Sequence, residues 1–403
     1  MTEGFRRLDF DEYHREELPR LVAEGRGELA APEAARRGSL AFRIEGGSAF
    51  TYQPQDRGLR IVPGDDAAET VVGLDRESWE GLVHDLESAP GLIYAERARS
   101  LRGDLMSFVM WEPALRALYQ GIPVHDPAAP LRDEVGQALD PGRAFGLDDD
   151  PAEMRAFMRV AGYILVKGVF SDDEVAALRR EADLAGERAV EGDQKSWWGK
   201  TDEGEVLLSR VTEAAVLPVM RSLARDPRIL RIGEIPDEDL DLPSEGEDGV
   251  SVLWKYPNAV EGITNLPWHR DCGMGGHALN CPGCVCQIYL TPATPEMGEL
   301  RVLPGSHRAS YAFAAPHESV AGSVAVAAEP GDVSLHFGDV MHGTPPPTAK
   351  EGPYRVSLLM GFAKKGAHHH RGERHYNDVL LGREDGQVAS MRRAAGAEES
   401  GDR

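Results

Sequence analysis

Between residues 252 and 362 the chain carries a series of short apolar runs separated by turns that contain Pro or Gly. The runs cover residues 252–256, 285–290, 299–303, 333–337 and 355–362. Runs of this length are typical of β-strands, and their regular punctuation is typical of an all-β sandwich or barrel. The sequence therefore predicts a β-sheet core for this part of the chain.

A pair of metal-ligand side chains lies in this region. His269 and Asp271 belong to Trp-His-Arg-Asp, and residues two apart on an extended strand point to the same face. His342, in Gly-Asp-Val-Met-His-Gly, offers a third ligand. Two imidazoles and one carboxylate on one face of a metal are the ligand set of non-haem Fe(II) oxygenases. Taken alone, the pair could arise by chance and His342 could be a core or turn histidine.

The length and the change in pattern along the chain predict two domains. A chain of 403 residues exceeds one ordinary domain. Apolar residues alternate with polar ones over 42–74, with Gly- and Asp-containing turns, which predicts antiparallel hairpins. A helix is expected after Asp75, and another after Asp104 with an interruption at Pro113. The predicted division is 1–122 for a small α+β sheet domain, 123–150 for a linker, 151–383 for the second domain and 384–403 for a disordered tail.

The second domain is expected to open with a strand over residues 157–170, followed by a helix. Ser171 and Glu174 have the spacing of a capping box at the start of that helix. Residues 234–248 contain eight acidic residues and no basic one, which favours a solvated loop over a lid. The pair Trp197-Trp198 is interpreted as core or rim rather than as ligand contacts.

Composition limits the classes of partner. The chain has 67 acidic and 44 basic residues and a net charge of −23, which argues against a nucleic-acid or anionic-membrane partner. No apolar run is long enough to cross a bilayer, and the first residues lack the apolar core of a signal peptide. We therefore predict a cytoplasmic protein, with acidity serving mainly solubility.

Several segments, in this order, resemble the phytanoyl-CoA dioxygenase family over about residues 155–365. They are Trp268-His269-Arg270-Asp271, the stretch Gly-Glu-Leu-Arg-Val-Leu-Pro-Gly-Ser-His at 298–307, Pro-Gly-Asp-Val at 330–333, Met-His-Gly at 341–343 and Arg-Val-Ser at 355–357. The resemblance implies a double-stranded β-helix (jelly roll) with flanking helices that uses Fe(II), 2-oxoglutarate and O₂. Asp271 is present, whereas halogenating relatives lack the carboxylate ligand.

The resemblance and side-chain chemistry together suggest roles for the site residues. His269, Asp271 and His342 would hold iron, and 2-oxoglutarate and O₂ would take the remaining positions. The guanidinium of Arg355 suits a bidentate grip on the distal carboxylate of 2-oxoglutarate, and Ser357 would face the same way. Gln287 could bind the co-substrate or be a satisfied core amide. Arg270 and Arg301 are the rivals of Arg355.

Other histidines receive structural interpretations. His307 is expected to be a hydrogen-bonded loop residue, and His336 ranks below His342 as a ligand. The tract His368-His369-His370 with His375 resembles a metal-binding segment but is more readily explained as an exposed one.

All four cysteines lie between residues 272 and 286. Cys281 and Cys284 form a C-x₂-C pair, and Cys272 or His277 together with Cys286 could complete a tetrahedral structural Zn²⁺ site. The alternative is that these thiols are buried small hydrophobes or redox-sensitive groups.

Residues 40–122 resemble a sterol-carrier-protein type of lipid-binding domain, on the hairpins, the following helix and the step Gly103-Asp104-Leu105. The resemblance implies an apolar tunnel, and the alternative is a docking domain with a filled core. The sequence thus predicts an Fe(II)/2-oxoglutarate-dependent dioxygenase that oxidises a C–H bond of a small or lipid-like molecule. A non-catalytic jelly-roll ligand-binding or sensor protein and a lipid carrier remain the alternatives.

Overall fold

The computed structural model describes residues 5–126, 128–133, 135–262, 267–271, 283–311, 314–315, 317–349, 355–365 and 391–396. These residues form mixed α+β architecture with three sheets and two large, separate hydrophobic cores. Within this described part, every helix is too short or too polar to cross a membrane.

The N-terminal unit, residues 5–120, has a five-stranded sheet covered by helices. Its helices are α1 (Phe10–Glu12), α2 (Leu18–Leu21), α3 (Gly27–Ala35), α4 (Arg76–Val83), α5 (Ala89–Tyr94) and α6 (Leu105–Gln120), with π-helical turns at Tyr13–Glu17 and Val22–Arg26. Its strands are β1 (Leu40–Ile44), β2 (Ala49–Gln55), β3 (Gly58–Pro63), β4 (Thr70–Leu74) and β5 (Arg99–Arg102). The order is β3-β2-β1-β4-β5, in which only the neighbours β1 and β4 run parallel.

The predicted hairpins and helix starts are present in this unit. Asp75 caps α4 by accepting from the Ser78 amide, and Asp104 caps α6. The expected break at Pro113 is wrong, because α6 continues through it to Gly121, whose left-handed backbone (φ 70°) ends the helix.

Aromatic side chains fill the space between the five-stranded sheet and α6. The largest fully buried side chains here are Trp79, Trp111, Tyr52, Phe10, Phe42, Phe50 and Phe108. The Phe42 and Phe108 rings meet edge to face with centroids 5.6 Å apart. This filled interior agrees with the docking-domain alternative, and the sterol-carrier resemblance stays a prediction.

The remainder is built on a nine-stranded sheet with order β11-β8-β9-β10-β17-β12-β15-β7-β6. Its strands are β6 (Phe145–Gly146), β7 (Tyr163–Lys167), β8 (Ser196–Thr201), β9 (Val206–Val211), β10 (Ser251–Lys255), β11 (Ala259–Glu261), β12 (Cys284–Tyr289), β15 (Val333–Phe337) and β17 (Arg355–Phe362). A three-stranded sheet, β14-β13-β16, contains β13 (Arg301–Val302), β14 (Val324–Ala325) and β16 (His342–Gly343). The two sheets are consistent with a jelly-roll-type fold.

Helices cover the outer side of the nine-stranded sheet. They are α7 (Pro151–Ala161), α8 (Asp172–Arg188), α9 (Pro218–Ser222) and α10 (Pro227–Gly233), with 3₁₀ turns at Ala214–Val216, Leu223–Arg225, Glu247–Gly249, Pro295–Met297 and Ser306–Arg308. The predicted capping box of α8 is present, with the Ser171 and Glu174 side chains each bound to the other's backbone amide. In the acidic run, Glu238 and Asp239 pair with Lys364 and Lys365 in exposed contacts.

Two sequence-based boundaries need correction. Residues 157–161, expected in a strand, form the end of α7, and β7 begins only at Tyr163. Gly162 stops the helix with φ 82° and a bond from its amide to the Met158 carbonyl. The expected disorder of 384–403 is wrong for 391–396, because these residues include α11 (Met391–Ala394) and Met391 is buried in the core of the N-terminal unit.

The two faces of the nine-stranded sheet differ in chemistry, because directly opposed residues share a face and successive residues alternate. The register pairs Lys255 with Arg355, Tyr289 with Ser357, Gln287 with Ser334 and Val285 with His336. We call this polar surface the site face. The opposite core face carries Val252, Trp254, Cys284, Cys286, Ile288, Val333, Leu335, Val356, Leu358 and Met360, which are all buried in the larger hydrophobic core.

The N-terminal unit contacts the rest of the chain at Ser310 and at Trp197. Ser310 donates its hydroxyl to the Pro113 carbonyl of α6 at 3.3 Å, and its amide bonds to the Pro123 carbonyl at 2.8 Å. Trp197 on β8 is buried in the core of the N-terminal unit, as the core interpretation predicted. The two parts of the chain therefore meet at Ser310 and at Trp197, while their hydrophobic cores stay separate.

Candidate metal centre

His269 and His342 lie opposite each other on antiparallel backbone. The His269 amide donates to the His342 carbonyl at 2.9 Å, and the His342 amide donates to the His269 carbonyl at 3.0 Å. Their ring centroids are 4.5 Å apart. The bridge therefore brings two distant parts of the sequence to one point.

Asp271 completes a three-residue cluster. Its Oδ1 lies 3.8 Å from His269 Nε2, and its Oδ2 lies 3.8 Å from His342 Nε2. One ligand atom from each of the three residues lies within 4.8 Å of the others, so the cluster could hold a metal ion. The structure thus brings the three predicted ligands together.

Backbone carbonyls fix the tautomers of both histidines. His269 Nδ1 is 2.8 Å from the Pro267 carbonyl, and His342 Nδ1 is 2.9 Å from the Val340 carbonyl. A carbonyl can only accept, so each Nδ1 carries the proton and each Nε2 keeps its lone pair. Ligating histidines are held in this way in metalloproteins, where the second nitrogen donates to a fixed acceptor.

The protonation states suit a metal ion. Burial lowers the pKa of His342 to about 3, so its ring is neutral near pH 7. Burial alone would raise the pKa of Asp271, but the imidazoles of His342 and His336 outweigh it and hold the pKa well below its usual range. A carboxylate and neutral imidazoles are the forms that bind metal.

Arg355 lies on the site face of β17 and is 1% exposed. Its Nε and Nη1 are buried and have no hydrogen-bond partner among the described residues. Leaving such donors without an acceptor costs free energy, so the guanidinium is set to receive an anion. Burial lowers its pKa, but a guanidinium stays charged in proteins.

Lys255 is a second buried basic residue, opposite Arg355 in the register of β10 and β17. It is 2% exposed, and its Nζ donates to the backbone and hydroxyl oxygens of Thr344. Burial and the neighbouring Arg355 charge lower the pKa of Lys255 well below its usual value. The sequence analysis missed this residue, although a lysine inside an apolar strand was a signal.

Ser357 and Gln287 bond to each other. Gln287 Nε2 donates to Ser357 Oγ at 2.9 Å, and both side chains are buried on the site face. This bond satisfies part of the Gln287 amide, as the core-amide alternative predicted, and Ser357 lies two residues from Arg355 on the same face of β17. Their role toward a co-substrate stays a prediction.

The rival arginines have other partners. Arg301 bonds to Glu299 at 2.7 Å and to the Ser323 carbonyl at 3.1 Å. The guanidinium of Arg270 lies over the Tyr311 ring, 5.2 Å from its centroid. Neither arrangement presents a group on the site face beside Ser357.

His307 is a half-buried, hydrogen-bonded residue in the 3₁₀ turn Ser306–Arg308, which agrees with the predicted structural role. Its Nε2 is 3.1 Å from the Arg159 carbonyl, and burial lowers its pKa to about 4. A Cβ on Gly162 would lie 2.5 Å from His307 Nδ1, so the chain approaches this ring closely. His307 takes no part in the three-residue cluster.

The predicted zinc site falls mostly outside the described residues. Cys272, His277 and Cys281 lie there, as do His368-His369-His370 and His375. Cys284 and Cys286 are on the core face, and burial raises the pKa of Cys286 to about 12, which favours its neutral thiol. The zinc site stays a prediction, and the buried-hydrophobe alternative agrees with the two cysteines that are described.

This chain was compared with protein families, with curated proteins and with solved structures. Residues 158–351 match the family model described as "Phytanoyl-CoA dioxygenase (PhyH)". A comparison with curated proteins gives no match.

Three solved structures illustrate the similar folds. SnoK, a non-heme alpha ketoglutarate dependent carbocyclase from nogalamycin biosynthesis, is 22% identical, with 58% of this chain and 91% of SnoK covered and a TM-score of 0.44. EctD from S. alaskensis with bound Fe is 23% identical, with 62% and 89% covered and a TM-score of 0.42. HygX from Streptomyces hygroscopicus, with nickel, 2-oxoglutarate and hygromycin B bound, is 20% identical, with 53% and 87% covered and a TM-score of 0.40. Similarity at this level gives no information on the substrate or the reaction of this chain.

Proposed function

Residues 158–351 match the family model of the phytanoyl-CoA dioxygenases, and we propose that the chain is an Fe(II)/2-oxoglutarate-dependent dioxygenase. The observation that carries the proposal is the cluster of His269, Asp271 and His342, in which both imidazoles keep Nε2 free for a metal. Three protein ligands leave three positions of an octahedral ion open. This is the arrangement that non-haem Fe(II) oxygenases use.

The buried guanidinium of Arg355 on the site face supports 2-oxoglutarate as co-substrate. A dicarboxylate can chelate iron at its keto-acid end and place its second carboxylate against a buried cation. Arg355 offers two buried nitrogens that have no partner among the described residues, and Lys255 lies opposite it on the neighbouring strand. Ser357, bonded to Gln287 on the same face, supplies a hydroxyl beside the guanidinium. Bound iron would activate O₂ for attack on a C–H bond, with 2-oxoglutarate supplying two electrons as it is converted to succinate and CO₂.

The substrate is proposed only as a chemical class. We propose a small or lipid-like organic molecule whose C–H bond is hydroxylated or otherwise oxidised, with release of succinate and CO₂. The lipid-carrier alternative gains no support from the N-terminal unit, whose described interior is filled with aromatic side chains. The cytoplasmic location stays a prediction.

Succinate formation from 2-oxoglutarate under air, with Fe(II) and ascorbate, tests the proposal. Asp271→Ala should abolish succinate formation, because it removes a metal ligand. Arg355→Ala should require far more 2-oxoglutarate for the same rate. Arg301→Gln, the matched arginine control, should keep the wild-type dependence on 2-oxoglutarate, because Arg301 is bound to Glu299.

A second readout removes the dependence on an unknown substrate. Anaerobic addition of Fe(II) and 2-oxoglutarate should produce the visible charge-transfer band of the chelate in the wild type and not in Asp271→Ala. Absence of both the band and succinate in the wild type would refute the oxygenase. A band without any turnover would instead favour the 2-oxoglutarate sensor.

A further inference from the structure

A third imidazole stands beside the metal cluster. His336 lies on the site face of β15, opposite Val285 on β12 and Tyr163 on β7, and it is 3% exposed. Its ring centroid is 4.6 Å from that of His342. β15 is paired on both sides, with β12 and with β7, so the sheet fixes the backbone position of His336.

His336 is closer to Asp271 than either predicted ligand is. Its Nε2 lies 3.3 Å from Asp271 Oδ2, whereas the Nε2 atoms of His269 and His342 each lie 3.8 Å from the nearest carboxylate oxygen. A separation of 3.3 Å between imidazole nitrogen and carboxylate oxygen is within reach of a hydrogen bond. The contact therefore joins His336 to the acidic ligand.

The tautomer of His336 differs from those of His269 and His342. Their Nδ1 atoms donate to backbone carbonyls, which leaves Nε2 without a proton. The Nδ1 of His336 is buried and has no partner within the described chain, and its Nε2 faces an acceptor-only carboxylate. A neutral ring in this setting places its proton on Nε2, so it donates where the other two offer a lone pair.

We propose that His336 is a positioning residue, which donates from Nε2 to Oδ2 of Asp271 and so turns Oδ1 toward the metal. This inference rests on the proposed function. A carboxylate with one oxygen engaged by a donor binds a metal through the other oxygen only. Monodentate binding keeps open the positions that a chelating co-substrate and O₂ need. A fourth protein ligand at His336 would instead leave two positions, which the chelate alone would fill.

Metal affinity of the full chain tests this role without relying on turnover. Co(II) is titrated into wild type, His336→Phe and His336→Gln while the visible ligand-field bands are followed. Phe keeps a planar ring without a donor, whereas Gln can place an amide N–H at the distance of Nε2. His336→Phe should weaken Co(II) binding about 10–100-fold, and His336→Gln should restore most of the loss, as expected for a partner that orients a ligand.

Ser334→Ala is the matched control, since Ser334 lies on the same strand and face but bonds to Tyr289. It should leave Co(II) affinity unchanged, and metal-free melting temperatures report whether each variant is folded. Equal Co(II) affinity in wild type and His336→Phe would overturn this inference but leave the proposed function standing. Equal weakening in both His336 variants, with shifted bands in both, would make His336 a ligand and overturn it too. No Co(II) binding by the wild type would overturn the proposed function and the inference with it.

Discussion

His269 and His342 exchange both backbone hydrogen bonds of an antiparallel pair, so their imidazoles leave the backbone at the same level. The bonds involve only main-chain atoms. Removing an imidazole therefore leaves the bridge in place.

His342→Ala should fold and melt like the metal-free wild type but lose metal-induced stabilisation. In the wild type, a metal at 100 times its dissociation constant should add about 2.7 kcal/mol to the free energy of unfolding. The measurement is thermal unfolding with and without Co(II). A metal-dependent shift of wild-type size in His342→Ala would remove this residue from the ligand set.

Arg355→Met should have opposite effects on the protein with and without 2-oxoglutarate. The buried guanidinium has two unsatisfied nitrogens in the described structure, so replacing it with an apolar side chain of similar length should raise the melting temperature. The same change should weaken 2-oxoglutarate binding by about 100-fold, because a carboxylate loses its buried partner. Thermal unfolding at several 2-oxoglutarate concentrations gives both the melting temperature without ligand and the dissociation constant of 2-oxoglutarate. A lower melting temperature without ligand would show that Arg355 supports the fold itself.

The buried His14 should make the core of the N-terminal unit sensitive to acid. Its Nδ1 donates to the Phe10 carbonyl and its Nε2 accepts from the Tyr52 hydroxyl at 2.7 Å, so a second proton has no place. Burial lowers the pKa of His14 to about 4 from 6.5. Because the folded pKa lies below the unfolded one, the neutral ring's full contribution is present above pH 6.5 and is lost as pH falls toward 4.

The loss should be on the order of 3 kcal/mol for a shift of this size. His14→Gln keeps an acceptor for Tyr52 but does not titrate. The difference in free energy of unfolding between the two proteins, measured by urea denaturation from pH 7 to pH 4, should shrink or reverse as the pH falls. A constant difference across this range would contradict the prediction.

Arg116 and Asp85 form a buried bidentate pair, with both bonds at 2.7 Å. Arg116→Met or Asp85→Asn alone should cost about 3–5 kcal/mol, because each leaves the partner charge buried. Asn suits position 85 because the backbone there has φ 58°. The double variant should lose less than the sum of the two. Additive losses in denaturant unfolding would show that the pair is not coupled.

Two glycines with left-handed backbone give a matched test of packing. Gly162 has φ 82°, and its added Cβ would lie 2.4 Å from Val340 and 2.5 Å from His307. Gly168 has φ 63° and open space around the same position. Gly168→Ala should cost about 1 kcal/mol from backbone strain alone, and Gly162→Ala about 2–4 kcal/mol. Equal losses in urea unfolding would show that the contacts around Gly162 relax freely.

Much of the sheet could be predicted because the two-residue alternation of a β-strand is visible in a short stretch of sequence. The strand expected at 333–337 coincides with β15, and that at 355–362 coincides with β17. The proximity of His269 and Asp271 was predictable for the same reason, since residues two apart on extended backbone share a face. Arg355 and Ser357 follow the same rule.

The failures arise where local pattern is ambiguous. Residues 157–161 are apolar enough for a strand, but Met154, Phe157, Met158 and Ala161 also repeat at helical spacing and are all buried in α7. Gly162 marked the helix end. The α11 segment has too few apolar residues to be predicted locally, and its Met391 is ordered by contact with a distant core.

The contacts of Lys255 and His336 could not be predicted from sequence, because these contacts depend on pairing between remote strands. Lys255 reaches Arg355 only through the β10–β17 register. His336 reaches Asp271 only because β15 passes the segment that carries the ligand. Neither contact leaves a repeating pattern in the sequence around the residue that makes it.

The alternation of Cys286 and Gln287 on β12 has a consequence for how this sequence can change. These neighbours point to opposite faces of the sheet, one into apolar core and one toward Ser357. A deletion or insertion of one residue in β12 would exchange the two surfaces at every later position of the strand. Substitutions can be absorbed one at a time, whereas gaps in this strand should occur only in pairs. Odd-length gaps would be tolerated only in the connecting loops.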